Sequence, residues 1–168
     1  MRAHIHCHRA DDILTALRLC EEFSLRPLLI HCTEGHLIAD ILAEKGAQAV
    51  TGPILCDRGK PELARADYRN AARLHEAGVE IAICTDHPEV MIDMLTTSAA
   101  LCVKNGLPRD TALKAVTINA ARLADTADRT GSLEKGKDAD IVMTDGDILD
   151  MGTSVLMTII DGKIVYSK

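Results

Sequence analysis

Four short apolar runs, each followed by an amphipathic stretch, set the tightest limit on what this chain can fold into. They are the opening "RAHIHC", then "RPLLIHC", "AQAVTGP" and "VEIAICTD". After the first, "DDILTALRLCEEF" offers Asp11 or Asp12 as an N-cap and places Ile13, Leu17 and Cys20 on one helical face. "GHLIADILAEKG" reads as a single helix with Leu37, Ile38, Ile41 and Leu42 apolar and Gly46 at its stop. "KPELARADYRNAARLHEAG" reads as a long helix starting at Pro61 and ending at Gly78. Each βα step takes roughly 25 to 30 residues except the third, which carries an extra loop, "ILCDRGKPE". That rhythm predicts parallel strands with helical crossovers, in a doubly wound sheet or a (β/α) barrel.

From Asn105 onward the pattern changes. "GLPRDTALKAVTINAARLAD" predicts two short helices, and "VLMTIIDGKIVYS" predicts a hairpin with a type I′ turn at Asp161-Gly162. The expected boundary lies near residue 128, giving an α/β region over 1–127 and a β-rich segment over 128–168. A lone hairpin is marginal in water, so the second segment must pack on something else.

An apolar fraction of 47% suits a folded core, while a net charge of -6 and 2% aromatic residues leave neither a basic stripe nor stacking surfaces for nucleic acid. Six cysteines scattered without a CxxC pair read as reduced thiols. No apolar run approaches the ~20 residues of a membrane helix, and no leader pattern opens the sequence. The expectation is a soluble, cytoplasmic protein with no membrane or nucleic-acid partner.

In a parallel barrel, functional side chains collect at the C-terminal strand ends. His4 and His6 share one face of the first strand, His31 ends the second and Asp86 ends the fourth. The third strand ends in Thr51, Gly52 and Pro53 and offers no ligand. Two or three imidazoles and a carboxylate at one mouth suit a divalent metal, most readily zinc. Asp86 would then accept a proton from a metal-activated water. The structural alternative is a set of hydrogen-bonded strand-end residues. His8 falls in the loop beyond the strand, either solvated or at the site. His87, beside Asp86, faces a substrate or is structural; Arg58 and Lys60 are a charged loop or a clamp for a substrate carboxylate. His36 and His75 read as structural.

"RAHIHCHRADDI", "LIHCTEGH", "ICTDHPEV" and above all "AVTINAARLADTADRTGSLEKGKDADIVMTDGD" carry a likeness to a known family. The chain resembles the C-terminal part of metal-dependent amidohydrolases, particularly the imidazolonepropionase-related, prolidase-like group. Asn119 is followed by Ala120 where the family has an Asn-Pro-Ala-like turn. The resemblance implies that His4 is the metal ligand of the fifth barrel strand, with His6 beside it facing substrate or metal. His31 corresponds to the sixth-strand histidine, and Asp86 to the eighth-strand aspartate that is both general base and ligand. The family's first-strand His-x-His pair has no counterpart in these residues.

The fold so implied is the C-terminal half of a (β/α)8 TIM-like barrel, strands five to eight, plus the C-terminal part of a small composite β-sandwich. Half a barrel leaves two open sheet edges, which predicts a homo-oligomer or a complementing N-terminal half. Two functions follow. One is an amidohydrolase, active when complemented, that cleaves an amide or cyclic amide C–N bond in a small molecule with zinc. The other is a non-catalytic truncated relative or assembly module that keeps the ligand positions.

Overall fold

A computed structural model describes all residues, 1–168. Its first part is α/β. Strands β1 (Arg2–Cys7), β2 (Arg26–His31), β3 (Gln48–Thr51) and β4 (Glu80–Ile83) form one sheet in the order β1-β2-β3-β4, every neighbouring pair parallel. The register aligns the C-terminal ends: Cys7 pairs with His31, His31 with Thr51, and Thr51 with Ile83. Side chains alternate between faces, so Leu29, Ala49 and Ile81 share one face and point into the main core. Helices α1 (Ala10–Glu22), α3 (Asn70–Glu76) and α4 (Leu95–Lys104) contribute Ile13, Leu17, Leu74, Ala99 and Cys102 to that core. On the other face, Leu28 and Ala82 lie against Leu123 of α6 (Ile118–Leu123).

The helices differ from their sequence reading in instructive ways. Helix α1 is capped from outside: its N-cap is Arg9, and the Glu34 carboxylate accepts from the Ala10 N–H at 2.9 Å, where Asp11 or Asp12 was expected to serve. "GHLIADILAEKG" is broken into a 3₁₀ turn (Gly35–Leu37) and a short α2 (Ala39–Glu44), with Ile38 in a non-helical conformation between them. Leu37 and Ile41 are consequently exposed, and Leu42 alone of the four apolar positions is fully buried. Pro61 begins only a 3₁₀ turn, and α3 waits until Asn70. Asp67 interrupts the intended helix because its Oδ1 takes the Arg69 N–H at 2.8 Å, a local turn that competes with helical bonding.

Helices α5 (Arg109–Ala115) and α6 are the two short helices expected after Asn105. A second sheet, antiparallel, joins β5 (Ile141–Thr144), β6 (Val155–Ile160) and β7 (Lys163–Ser167) in that order. The β6–β7 turn has positive φ at both Asp161 (50°) and Gly162 (73°), as a type I′ turn requires. No helix is long and apolar enough to cross a membrane.

Candidate metal centre

Three imidazoles meet at the C-terminal end of β1 and β2. One ligand atom each from His6, His8 and His31 lies within 4.8 Å of the others. The ring centroids are 4.5 Å apart for His6 and His31, 4.7 Å for His6 and His8, and 4.8 Å for His8 and His31. Strand alternation explains why His6 and His8 meet, because His8 continues the period of two set by His4 and His6 even though β1 ends at Cys7.

His31 breaks the alternation. Its register partner is Cys7, which faces the helices, so a regular strand would send its side chain away from His6. The backbone instead turns left-handed at His31 (φ 71°) and Cys32 (φ 46°), which brings the ring across to the histidine side. The ring is buried, and its Nδ1 lies 2.7 Å from the Gly52 carbonyl oxygen. A carbonyl only accepts, so Nδ1 carries a proton, and the tautomer this selects for the neutral ring has its lone pair on Nε2. Gly52 comes so near β4 that a Cβ there would meet the Cys84 carbonyl. The residue after the third strand thus contributes a carbonyl that orients His31, a role that no side-chain motif announces.

His8 is held by Thr33, whose Oγ1 lies 2.8 Å from Nδ1, and its Nε2 is 2.8 Å from that of His6. Burial, with the neighbouring His31 and His6 rings, pushes the His8 imidazole down to about 4, so it is a neutral donor at pH 7. The nearby thiols are not donors of the same kind. Burial pushes Cys7 up to about 11 and raises Cys32 further, so both stay protonated. Three imidazole nitrogens, two of them on rings held by Thr33 and Gly52, are a donor set that zinc accepts, with room for a further ligand.

The expected ligands are thus only partly gathered. His31 is in the group, and so is His6, expected beside it. His4 is exposed and lies two residues earlier on β1, about 7 Å down the strand, and is not one of the three gathered histidines. Asp86 follows β4 with φ 57° and is exposed, outside the three-histidine group, as is His87 next to it. His8, which the sequence leaves either solvated or at the site, lies in the group, and the period-two spacing of "HIHCH" is the signal for it.

A small groove of about 60 Å³ opens beside His31 and Thr33, walled by Ile54 and Leu63 and edged by Arg58 and Tyr68. Arg58 donates from Nη2 to the Ala66 carbonyl at 2.6 Å and has no carboxylate partner. Asp67, on the same groove, is held down to about 2 by the Arg69 guanidinium.

Comparison with known proteins decides the family. The model of the amidohydrolase family matches residues 1–166. The chain belongs to the amidohydrolase family. It is 31% identical over 148 residues to an imidazolonepropionase of Thermoplasma acidophilum, a match covering 83% of this chain and 34% of that protein. An amidohydrolase of Thermotoga maritima superposes with a TM-score of 0.96 at 40% identity, over 100% of this chain and 44% of that one. A zinc-bound adenosine deaminase from Xanthomonas campestris superposes at 0.71 with 26% identity, over 99% of this chain and 46% of the other. The chain therefore spans less than half the length of each of these relatives.

Proposed function

We propose that this chain supplies the metal-binding C-terminal part of an amidohydrolase that hydrolyses an amide or cyclic amide C–N bond in a small molecule. The observation that carries the reading is the meeting of His6, His8 and His31 at the C-terminal ends of parallel strands, where functional groups of such folds collect. In this reading β1 to β4 are strands five to eight of a (β/α)8 barrel, and β5 to β7 are the chain's share of a composite sandwich.

His6, His8 and His31 would hold the metal, most readily zinc, and His6 takes the ligand role that the family resemblance gives to His4. Bound zinc supplies Lewis acidity that polarises the scissile carbonyl and lowers the pKa of water. Gly52 fixes the His31 tautomer and Thr33 restrains the His8 ring, so both nitrogens are oriented before metal arrives. Asp86, beyond β4 at the same end of the sheet, would receive a proton on a carboxylate oxygen. Arg58, free of any carboxylate at the groove edge, would bind an anionic part of the substrate, and His87 would line the approach.

The unpaired outer edges of β1 and β4 support closure by another chain, either a complementing N-terminal half or a second copy. One observation favours a non-catalytic assembly module instead: Asp86 is exposed and stands apart from the histidines.

Metal analysis of the purified chain separates the two. The expected result is close to one zinc per chain, lost in His6→Ala and His31→Ala and retained in His4→Ala. A folded chain that takes up no zinc would leave the assembly reading.

A further inference from the structure

The loop that carries His31 is held by a residue that none of the metal chemistry uses. Asn70 is the first residue of α3 and is 6% exposed. Its Nδ2 donates to the Cys32 carbonyl at 3.0 Å, and its Oδ1 accepts from the His36 N–H at 2.9 Å. A carbonyl only accepts and an N–H only donates, so the amide orientation is fixed by its partners. One side chain therefore spans the whole corner from Cys32 to His36.

The N-cap of α3 is Arg69, one residue earlier, and a capping side chain would turn its oxygen to the N–H groups of its own first turn. Asn70 does not; both ends of its amide go to a different element. The corner it grips is the one where His31 and Cys32 adopt positive φ, a conformation that side chains with a Cβ disfavour. Gly35 allows the close approach, since a Cβ there would lie 2.6 Å from the Cys32 Sγ and 3.5 Å from the Asn70 Oδ1. The Glu34 N–H ties the same corner to the His8 carbonyl at 2.8 Å. The bonds made by Asn70 and Glu34 thus restrain the segment that aims His31 and link it to the segment that carries His8.

We infer that Asn70 is a positioning residue for His31: its amide holds the Cys32–His36 corner in the left-handed form that turns the imidazole toward His6 and His8. Its consequence for metal affinity rests on the metal reading given above; its consequence for the ring does not.

Asn70→Asp tests this in the full chain, since a carboxylate still accepts from His36 but cannot donate to Cys32. Asn105→Asp is the control, because Asn105 makes a comparable bond to the Leu101 carbonyl, 2.8 Å, at the end of α4. Two readouts are taken beside the thermal midpoint: zinc affinity by competition with a chromogenic chelator, and the long-range ¹H–¹⁵N spectrum of the imidazoles in metal-free protein. The expected result for Asn70→Asp is zinc binding weaker by about 10- to 100-fold and His31 signals shifted from the Nδ1–H tautomer pattern. Asn105→Asp should lower the midpoint while leaving both readouts in place. Unchanged His31 signals in Asn70→Asp, or an equal change in Asn105→Asp, would overturn the inference. If the unaltered chain takes up no zinc, the metal reading falls and the His31 spectrum alone decides the role of Asn70. Should Asn70→Asp not fold, the smaller Asn70→Ser, which also cannot span both partners, gives the same decision.

Discussion

The two sheets of this molecule are built from similarly apolar residues and end in opposite states of burial. In the parallel sheet Leu28, Leu29, Ala49, Ile81 and Ala82 are all at most 2% exposed. In the antiparallel sheet Val142, Ile160, Ile164 and Val165 are between 49% and 62% exposed, and Leu149 is the one fully buried residue after 127. Connection chemistry accounts for the difference. Parallel strands need long crossovers, and those crossovers are the helices that cover the sheet; a hairpin returns after two residues and brings no covering layer. The three-histidine group sits at the end of the sheet that its own chain has buried.

The parallel sheet is most vulnerable at Gly52. With φ 133° and a would-be Cβ 2.1 Å from the Cys84 carbonyl oxygen, Gly52→Ala forces two paired strands apart. The expected loss is about 3 kcal/mol or more, read as failure to express in soluble form or as a large fall in the urea midpoint. Next in size is Leu29→Ala, which empties a fully buried site and should cost about 2 to 5 kcal/mol. The matched change in the other sheet, Ile164→Ala, should stay within about 0.5 kcal/mol, because a side chain 62% exposed has little burial to lose. Equal losses at Leu29 and Ile164 would mean that β5–β7 is covered in solution by something beyond this chain's own layers.

What the sequence disclosed divides along the same lines. The β-strand order of elements, the two short helices after Asn105 and the I′ turn at Asp161-Gly162 were legible, because periodicity and turn chemistry are local. Ile13, Leu17 and Cys20 were correctly placed on the buried face of α1 for the same reason. The breaks at Ile38 and Asp67 were not legible, since each depends on a competing bond or corner that propensity does not register. The site was half legible. Alternation joins His6 to His8, but nothing local says that His31 leaves its strand left-handed, that Gly52 offers it a carbonyl, or that Asn70 grips its loop from 38 residues away.

The smallest expected effect lies where the two regions touch. Arg109 of α5 donates from Nε to Asp147 at 2.5 Å and from Nη2 to Asp150 at 2.8 Å, tying the loop after β5 to the helical layer. That loop also carries Leu149, whose N–H donates to Asp147 Oδ1 at 2.9 Å. Arg109 holds the Asp147 carboxyl below its ordinary value, aided by the Leu149 N–H. A depressed carboxyl contributes fully above the ordinary value of 3.8 and loses its contribution as pH falls through the lower, folded value. The Leu149 amide should therefore lose hydrogen-exchange protection, corrected for intrinsic rates, on acidification below that range and in high salt, while Ala49 in β3 keeps its own. Arg109→Ala should produce the same loosening at neutral pH and largely remove its dependence on acid and salt. If Leu149 stays equally protected in that variant, the ion pairs do nothing to join the regions, and burial of Leu149 against the main core holds the second segment in place.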